Sequence, residues 1–318
     1  MSLSQIYCYL NNKVWLGYNQ IKIDYFCHQD HFLTLKLLNF LINTNLFISI
    51  AAVLFTMESQ IQLDIEPAFH PYLFIIFFAT LFEYNLHRLI TLIFHKTALK
   101  SDKHKWLQAN IRPFYLLVVF SVLGFLVSII LAKKTVLLAL MPIAAVTLFY
   151  TLPVFKLKEK LMRLREVPGL KIFLIAFVWA SVTVLLPVIQ SEGRFDVSHI
   201  LLMILERSLF IFAITIPFDI RDMQADAEVG LKTFPVIIGD KKSWQLANFS
   251  CLAYMLVSFF HYFLLDQIAA SLACLLSGLI ILLCLNMSKL RQSPYYHYGI
   301  LDGTIIIQSL LVILFHFI

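Results

Sequence analysis

The chain has 318 residues, of which 60% are hydrophobic and only 14% charged, with a formal net charge of +6. An ordinary soluble domain carries roughly 25% charged residues, and a globule could not bury about 190 apolar side chains and still cover itself with polar groups. About nine bilayer spans of roughly 20 residues would use about 180 residues. The composition therefore predicts an all-α, polytopic membrane bundle and excludes a soluble enzyme, a disordered chain and a secreted disulfide scaffold.

The first 35 residues contain no continuous apolar run long enough for the core of a signal peptide; Trp15, Tyr18, Tyr25 and Phe26 interleave with Lys13, Lys22 and Asp24. That mixture suits a cytoplasmic, interfacial segment lying on the membrane, and equally a tail packed on loops. Residues 37–318 read as one transmembrane domain. Helix-length apolar stretches recur near 37–57, 71–94, 113–132, 135–152, 170–189, 199–218, 245–265, 267–286 and 299–318. Pro71 and Pro113 stand at the starts of spans, where a missing N–H costs little. The tight junction at Asp266 predicts a helical hairpin between the seventh and eighth spans. The five cysteines show no metal-binding spacing and read as packing residues.

Basic residues cluster in alternate connections: Lys96, Lys100, Lys103, Lys105 and Arg112 after the second span, Lys156, Lys158, Lys160, Arg163, Arg165 and Lys171 after the fourth, Arg221, Lys232, Lys241 and Lys242 after the sixth, and Lys289 and Arg291 after the eighth. By the positive-inside rule these loops and the N-terminus face the cytoplasm. The rule accounts for most of the net charge, so a nucleic-acid partner is not implied.

The sharpest local pattern lies just past the sixth span. Asp219, Asp222 and Asp226 follow the spacing i, i+3, i+7 and share one face of a helix. Three carboxylates on one face repel one another unless a cation stands between them, and Mg²⁺, a hard ion that takes oxygen ligands, suits them. A solvated acidic helix without a ligand has the same spacing. The stretch continues to Gly230, placed to end the helix, then Thr233 and Gly239. Asp219, Asp222, Asp226, Gly230, Thr233 and Gly239 together resemble the second aspartate-rich motif of the UbiA superfamily of intramembrane prenyltransferases. Phe149-Tyr150-Thr151-Leu152-Pro153, and Lys171 leading into a helix with Trp179, are similar to the family's fourth-to-fifth span region. The resemblance implies nine helices, Mg²⁺ as cofactor held by Asp219, Asp222 and Asp226, and an isoprenyl diphosphate whose prenyl group passes to a lipophilic acceptor, aromatic or otherwise.

The family's first motif, at the end of the second span, departs from the pattern. Asn85 can be matched, but the two aspartates fall at Leu89 and Ile93. In their place Glu83, Asn85, His87 and Arg88 put polar and ionisable groups inside a span, where such residues face the bundle interior and have a partner or ligand. Arg88 is expected to supply positive charge to the diphosphate, with Asn85 beside it and Glu83 or His87 in proton transfer; a self-neutralising Glu83–His87 or Glu83–Arg88 pair is the structural alternative. Lys156, Lys158 and Lys232 are the loop cations expected at the diphosphate. Arg207, deep in the sixth span, requires a partner, and the adjacent Glu206 points elsewhere on a helix.

A second class of function is a non-catalytic protein of the same fold that binds an isoprenoid lipid or a membrane partner. A secondary transporter would need paired helix interruptions in two halves, which are not found. A CDP-alcohol phosphotransferase would need a D-G-x-x-A-R sequence, and Asp302-Gly303 has no such sequel.

Overall fold

The computed structural model describes residues 34–94, 102–152, 155–157, 160–193 and 195–317. Most of the expected interfacial segment at 1–36 lies outside these residues. The chain divides into two compact units, Met1–Asn43 and Thr44–Ile318. Of the first, helix α1 (Thr34–Asn43) is described. The second contains α2 (Leu46–Gln62), α3 (Pro71–Phe94), α4 (Asp102–Ala109), α5 (Ile111–Leu131), α6 (Lys134–Thr151), α7 (Leu170–Ser191), α8 (Val197–Glu228), α9 (Phe234–Ile238), α10 (Asp240–Leu264), α11 (Ile268–Asn286), α12 (Ser288–Arg291) and α13 (Asp302–His316). A small antiparallel hairpin, β1 (Phe155–Leu157) and β2 (Lys160–Met162), follows α6, and a π-helical turn, Tyr296–Leu301, leads into α13.

Eight helices among the described residues are long and apolar enough to cross a membrane, and nine if α1 and α2 make one span between them. The protein is thus a helical integral membrane bundle, with the short β1–β2 hairpin as its only sheet among the described residues. One expected span is corrected: 37–57 is not a single helix, because the chain leaves helical geometry at Thr44 and Asn45. Asn45 sits in the left-handed region at φ 62°, which asparagine tolerates better than most residues. A second correction concerns the sixth span. It does not stop near residue 218 with a separate motif helix after it; α8 runs unbroken for 32 residues to Glu228. At 1.5 Å per residue that is about 48 Å, well beyond a hydrocarbon core of about 30 Å. Counting from Val197, the core is used up near Pro217, so the aspartates ride on the turns that emerge from it. Gly230 ends the segment in the left-handed conformation, as expected.

The core is built where α2, α7, α8, α10, α11 and α13 meet, around Ala51, Phe55, Ile172, Phe210, Tyr254, Ile281 and Ile305. α8, packed between α7 and α10, is the most enclosed span. α5 and α6 instead present Leu116, Ile130, Leu138 and Met141 outward, as helices facing lipid do. The α10–α11 hairpin is tight: Asp266 takes a positive φ of 58° and the Gln267 N–H donates to the Tyr262 carbonyl at 2.9 Å. Further along, a Cβ at Gly278 of α11 would collide with Met255 of α10, so glycine permits the close approach. Lipid tails are as apolar as leucine, and helix association therefore rests on such packing and on polar links between helices. Cys251, Cys274 and Cys284 are buried free thiols within this packing.

Candidate active site at the end of α8

Pro217 lies two residues before Asp219 inside α8. It lacks the N–H that would bond the carbonyl four residues earlier. On the other side of the same residue, His297 of the π-helical turn donates to the Pro217 carbonyl. π-Helical turns occur frequently at functional sites, and this one places His297 and Tyr298 against Phe218, with ring centroids 5.3 and 5.6 Å away.

The three aspartates are not equivalent. Asp219 is buried (1% exposed), and Lys171, in the first turn of α7, places its ammonium 2.6 Å from Asp219 Oδ1 and 3.7 Å from Asp226 Oδ2. The two carboxylates therefore converge on one cation. Asp219 Oδ2 and Asp226 Oδ2 are buried and accept no hydrogen bond among the described residues. Asp222 is more open and takes a bidentate bond from its neighbour Arg221, at 2.8 and 2.9 Å. The Arg221 guanidinium also lies over the Tyr298 ring, 5.0 Å from its centroid, and donates to the Tyr298 hydroxyl.

Helix α3 carries the second group of polar residues. Asn85 is wholly buried; it accepts from the Asn45 side chain at 2.8 Å and donates to the Thr44 carbonyl at 3.1 Å. Arg88 Nη2 donates to Asn45 Oδ1 at 2.5 Å and interacts electrostatically with Tyr298. Tyr298 thus contacts Arg221 of α8 and lies within electrostatic reach of Arg88 of α3. Neither intrahelical pairing expected of Glu83 supplies its contact here: the Glu83 carboxylate accepts from Thr151 at the end of α6, and His87 meets Arg165 of the following loop. The reason is geometric, since both side chains find partners on the neighbouring α6 and its loop. Tyr84, between them, hydrogen-bonds to Trp179 of α7.

Arg165 is positioned by a short 3₁₀ turn, Leu164–Glu166, whose Glu166 accepts from the Arg163 backbone N–H at 3.1 Å and from its guanidinium at 2.9 Å. Burial works against the Glu166 charge, but these two bonds and the Arg163 charge outweigh it and hold the carboxyl below its ordinary range. Arg165 then reaches over the Tyr150 ring, 5.6 Å from its centroid. Of the loop cations expected at the diphosphate, Lys156 is described only as backbone in β1 and Lys158 lies outside the described residues. Lys232 is exposed, has no ion pair among the described residues, and contributes its carbonyl to the Gly169 N–H at 3.0 Å.

The sequence pattern therefore named the aspartates and the α3 group but missed Lys171, Arg165, Arg221 and Tyr298. Lys171 had a usable signal: a lysine in the first turn of an otherwise apolar helix must find an anion, and three unneutralised carboxylates were waiting for one. Tyr298 had none, because only the fold carries residue 298 to residues 88 and 221.

A helical bundle of this kind, with a carboxylate-rich helix end and ionisable groups inside a second span, has the architecture of an intramembrane protein of the UbiA type. The sequence pattern of the UbiA prenyltransferase family matches residues 113–294, and the chain belongs to that family. Among solved structures, the chain is similar to the apo form of a UbiA homologue from Aeropyrum pernix K1, with 16% identity, TM-score 0.61, and 84% of this chain and 97% of that one covered. It is also similar to a UbiA homologue from Archaeoglobus fulgidus bound to GPP and Mg²⁺, with 14% identity, TM-score 0.59, and coverage of 87% and 98%. A third likeness, at 16% identity and TM-score 0.52, is to digeranylgeranylglyceryl phosphate synthase, with coverage of 89% and 97%. These likenesses establish the fold. No curated sequence relative matches.

Proposed function

We propose that the protein binds an isoprenyl diphosphate at the end of α8, in a Mg²⁺-dependent manner, and transfers the prenyl group to a lipophilic acceptor within the bundle. The observation that carries this reading is the pair of buried carboxylates, Asp219 and Asp226, converging on a single cation. Their orphaned oxygens are the hard donors that a divalent ion takes. The donor set fits one such ion, held by Asp219 and Asp226 with Asp222 beside them. Among the described residues no three His, Cys, Asp or Glu side chains converge as a closed metal cage, so this ion would complete its shell with diphosphate oxygens and water; a second ion is not supported, because α3 has leucine and isoleucine where its aspartates would stand. That the A. fulgidus homologue binds GPP with Mg²⁺ supports the substrate class.

When bound, Mg²⁺ neutralises charge that develops on a departing diphosphate. The protein's own cations do the rest. Lys171 pairs with Asp219 and Asp226 and draws the two carboxylates together, Arg88 and Arg221 flank the approach from two helices, and Arg165 joins α3 to the loop. Lys156, Lys158 and Lys232 remain candidate contacts for the outer phosphate. Glu83 and His87, tied to Thr151 and Arg165, are candidates to take the proton that an acceptor loses. The charge pattern supports a cytoplasmic location for this end of the bundle and for the N-terminus, with residues 1–36 read as an interfacial segment and 37–318 as one domain, a boundary a few residues before the division at Asn43.

One observation favours the alternative, a non-catalytic protein that binds an isoprenoid lipid or a partner: Asn85 already has both its amide groups committed to Asn45 and Thr44. Titrating detergent-purified protein with isoprenyl diphosphates of several chain lengths, with and without Mg²⁺, separates the readings. Mg²⁺-dependent binding with turnover supports transfer, and binding alone supports the alternative. Binding and turnover that survive Asp219→Asn, Asp222→Asn and Asp226→Asn alike would remove the site from both.

A further inference from the structure

About 30 Å from Asp219 along α8, near the start of the same helix, lies a second polar chain. His199 Nε2 meets the Gln62 carbonyl at 3.1 Å, His199 Nδ1 meets His261 Nε2 at 2.8 Å, and His261 Nδ1 meets Glu206 Oε2 at 3.2 Å. Glu206 and His261 are buried, at 2% and 6% exposed, while His199 is half-buried. The other Glu206 oxygen accepts from the Tyr262 hydroxyl.

The hydrogens can be counted. Three bridges require three hydrogens. The Gln62 carbonyl can only accept, and an ionised carboxylate can only accept. Two neutral imidazoles supply one hydrogen each, so the third bridge needs one more. Without it a ring lone pair faces a carboxylate lone pair or another ring nitrogen inside the bundle, an arrangement that burial makes costly. The nearby charges do not replace that proton. Arg207, on α8, lies 3.3 Å from Glu58 of α2 and donates to Gln62 and to the Phe55 carbonyl. Glu58 in turn accepts from Gln62, Gln308 and Ser309. Tyr254 and Cys274, which also face Glu206, carry no charge to balance it.

We infer that the chain Gln62–His199–His261–Glu206 is a one-proton binding site, distinct from the aspartate site. It exchanges through His199 with the face of the bundle where Asp64 and Asp196 lie. Asp64 and Asp196 are the acidic groups within electrostatic reach of His199, so the exposed end of the chain is bordered by proton acceptors. Retaining the proton links α2, α8 and α10. A folded state that holds one proton more than the unfolded chain loses stability as pH rises through the value at which that proton leaves, and keeps it below.

The test is Glu206→Gln. The glutamine carbonyl still accepts from Tyr262, and its amide supplies the third hydrogen without an ionisation. The unfolding equilibrium of detergent-purified protein is followed from neutral to alkaline pH. The wild type is expected to lose stability relative to Glu206→Gln by tenfold in the unfolding constant per pH unit, the signature of one proton, with the variant as stable as the wild type near neutrality. Parallel profiles for the two proteins would overturn the proposal. Should the variant fail to fold, proton NMR of histidine-¹⁵N-labelled wild type reads the same hydrogen. A far-downfield hydrogen in the His261–Glu206 bridge is expected at neutral pH, whether carried by the ring nitrogen or by the carboxyl, and a His261 Nδ1 that shows no such bridging hydrogen would also overturn it.

Discussion

Replacing Lys171 with methionine, an unbranched side chain of similar length, removes the cation that Asp219 and Asp226 share. Two unit charges 4 Å apart interact by about 4 kcal/mol at an effective dielectric near 20, and the ammonium meets both carboxylates within that range, at 2.6 and 3.7 Å. Much of that attraction is offset by the cost of dehydrating the groups, and deleting one member of a buried pair typically costs about 3–5 kcal/mol. With Lys171 only 13% exposed and Asp219 1%, the full range applies. Metal-free Lys171→Met should therefore unfold at a markedly lower temperature than the wild type. Mg²⁺ should restore it disproportionately, because the two carboxylates no longer have a resident ammonium to compete with the ion. Each 1.4 kcal/mol of relieved competition is about a tenfold gain in apparent Mg²⁺ affinity. Thermal unfolding across a Mg²⁺ titration reads both effects. An equally stable metal-free variant would refute the buried pair. Equal Mg²⁺ shifts in the two proteins would refute the idea that ion and ammonium occupy the same carboxylates.

Arg88→Leu removes a charged donor to Asn45 and should cost about 1.5–3 kcal/mol of stability; it should also weaken isoprenyl diphosphate binding by about tenfold, and unchanged affinity would take Arg88 out of the site. Arg207→Leu leaves Glu58 fully buried without its cation and should cost about 3–5 kcal/mol, whereas Arg207→Leu with Glu58→Leu should recover a large part of that loss; additive effects in a double-mutant cycle would contradict direct pairing. Glu166 has its carboxyl held below the ordinary 4.5 in the folded protein, so its contribution is present above that value and is lost as pH falls through the folded one. Backbone hydrogen exchange in the Leu164–Glu166 turn should rise in acid, and Glu166→Gln should flatten that dependence; a turn whose exchange ignores both pH and the substitution would leave Arg165 without this anchor.

Much of the candidate site could be read one residue at a time. Asp219, Asp222 and Asp226 announce themselves because a 3.6-residue period puts them on one face, and Glu83 through Arg88 because ionisable groups inside an apolar span have to be explained. Their partners were harder. Glu83 and His87 are four residues apart and invite a local pair, yet each turns to a partner on or beyond α6, because contacts between helices compete on equal terms with contacts along one. The break at Thr44–Asn45 went unseen for a similar reason. Nothing in the apolar run around it forbids a helix, and the turn there is accompanied by a hydrogen bond between Asn45 and Asn85, which lies 40 positions later.

Composition and hydrophobic length determined by themselves that this is a membrane bundle of about nine helices, since about 190 apolar residues leave no soluble alternative. The spacing of the α8 aspartates likewise fixed which helix end carries the candidate chemistry. Only the tertiary structure decided how those charges are neutralised: Lys171 between two carboxylates, Arg221 on the third and against Tyr298, and a proton-requiring histidine chain at the far end of α8. Periodicity is a property of one helix and survives in the sequence. Charge pairing inside a membrane depends on which helices stand side by side, and residues 58 and 207, or 171 and 219, become neighbours only when the bundle closes.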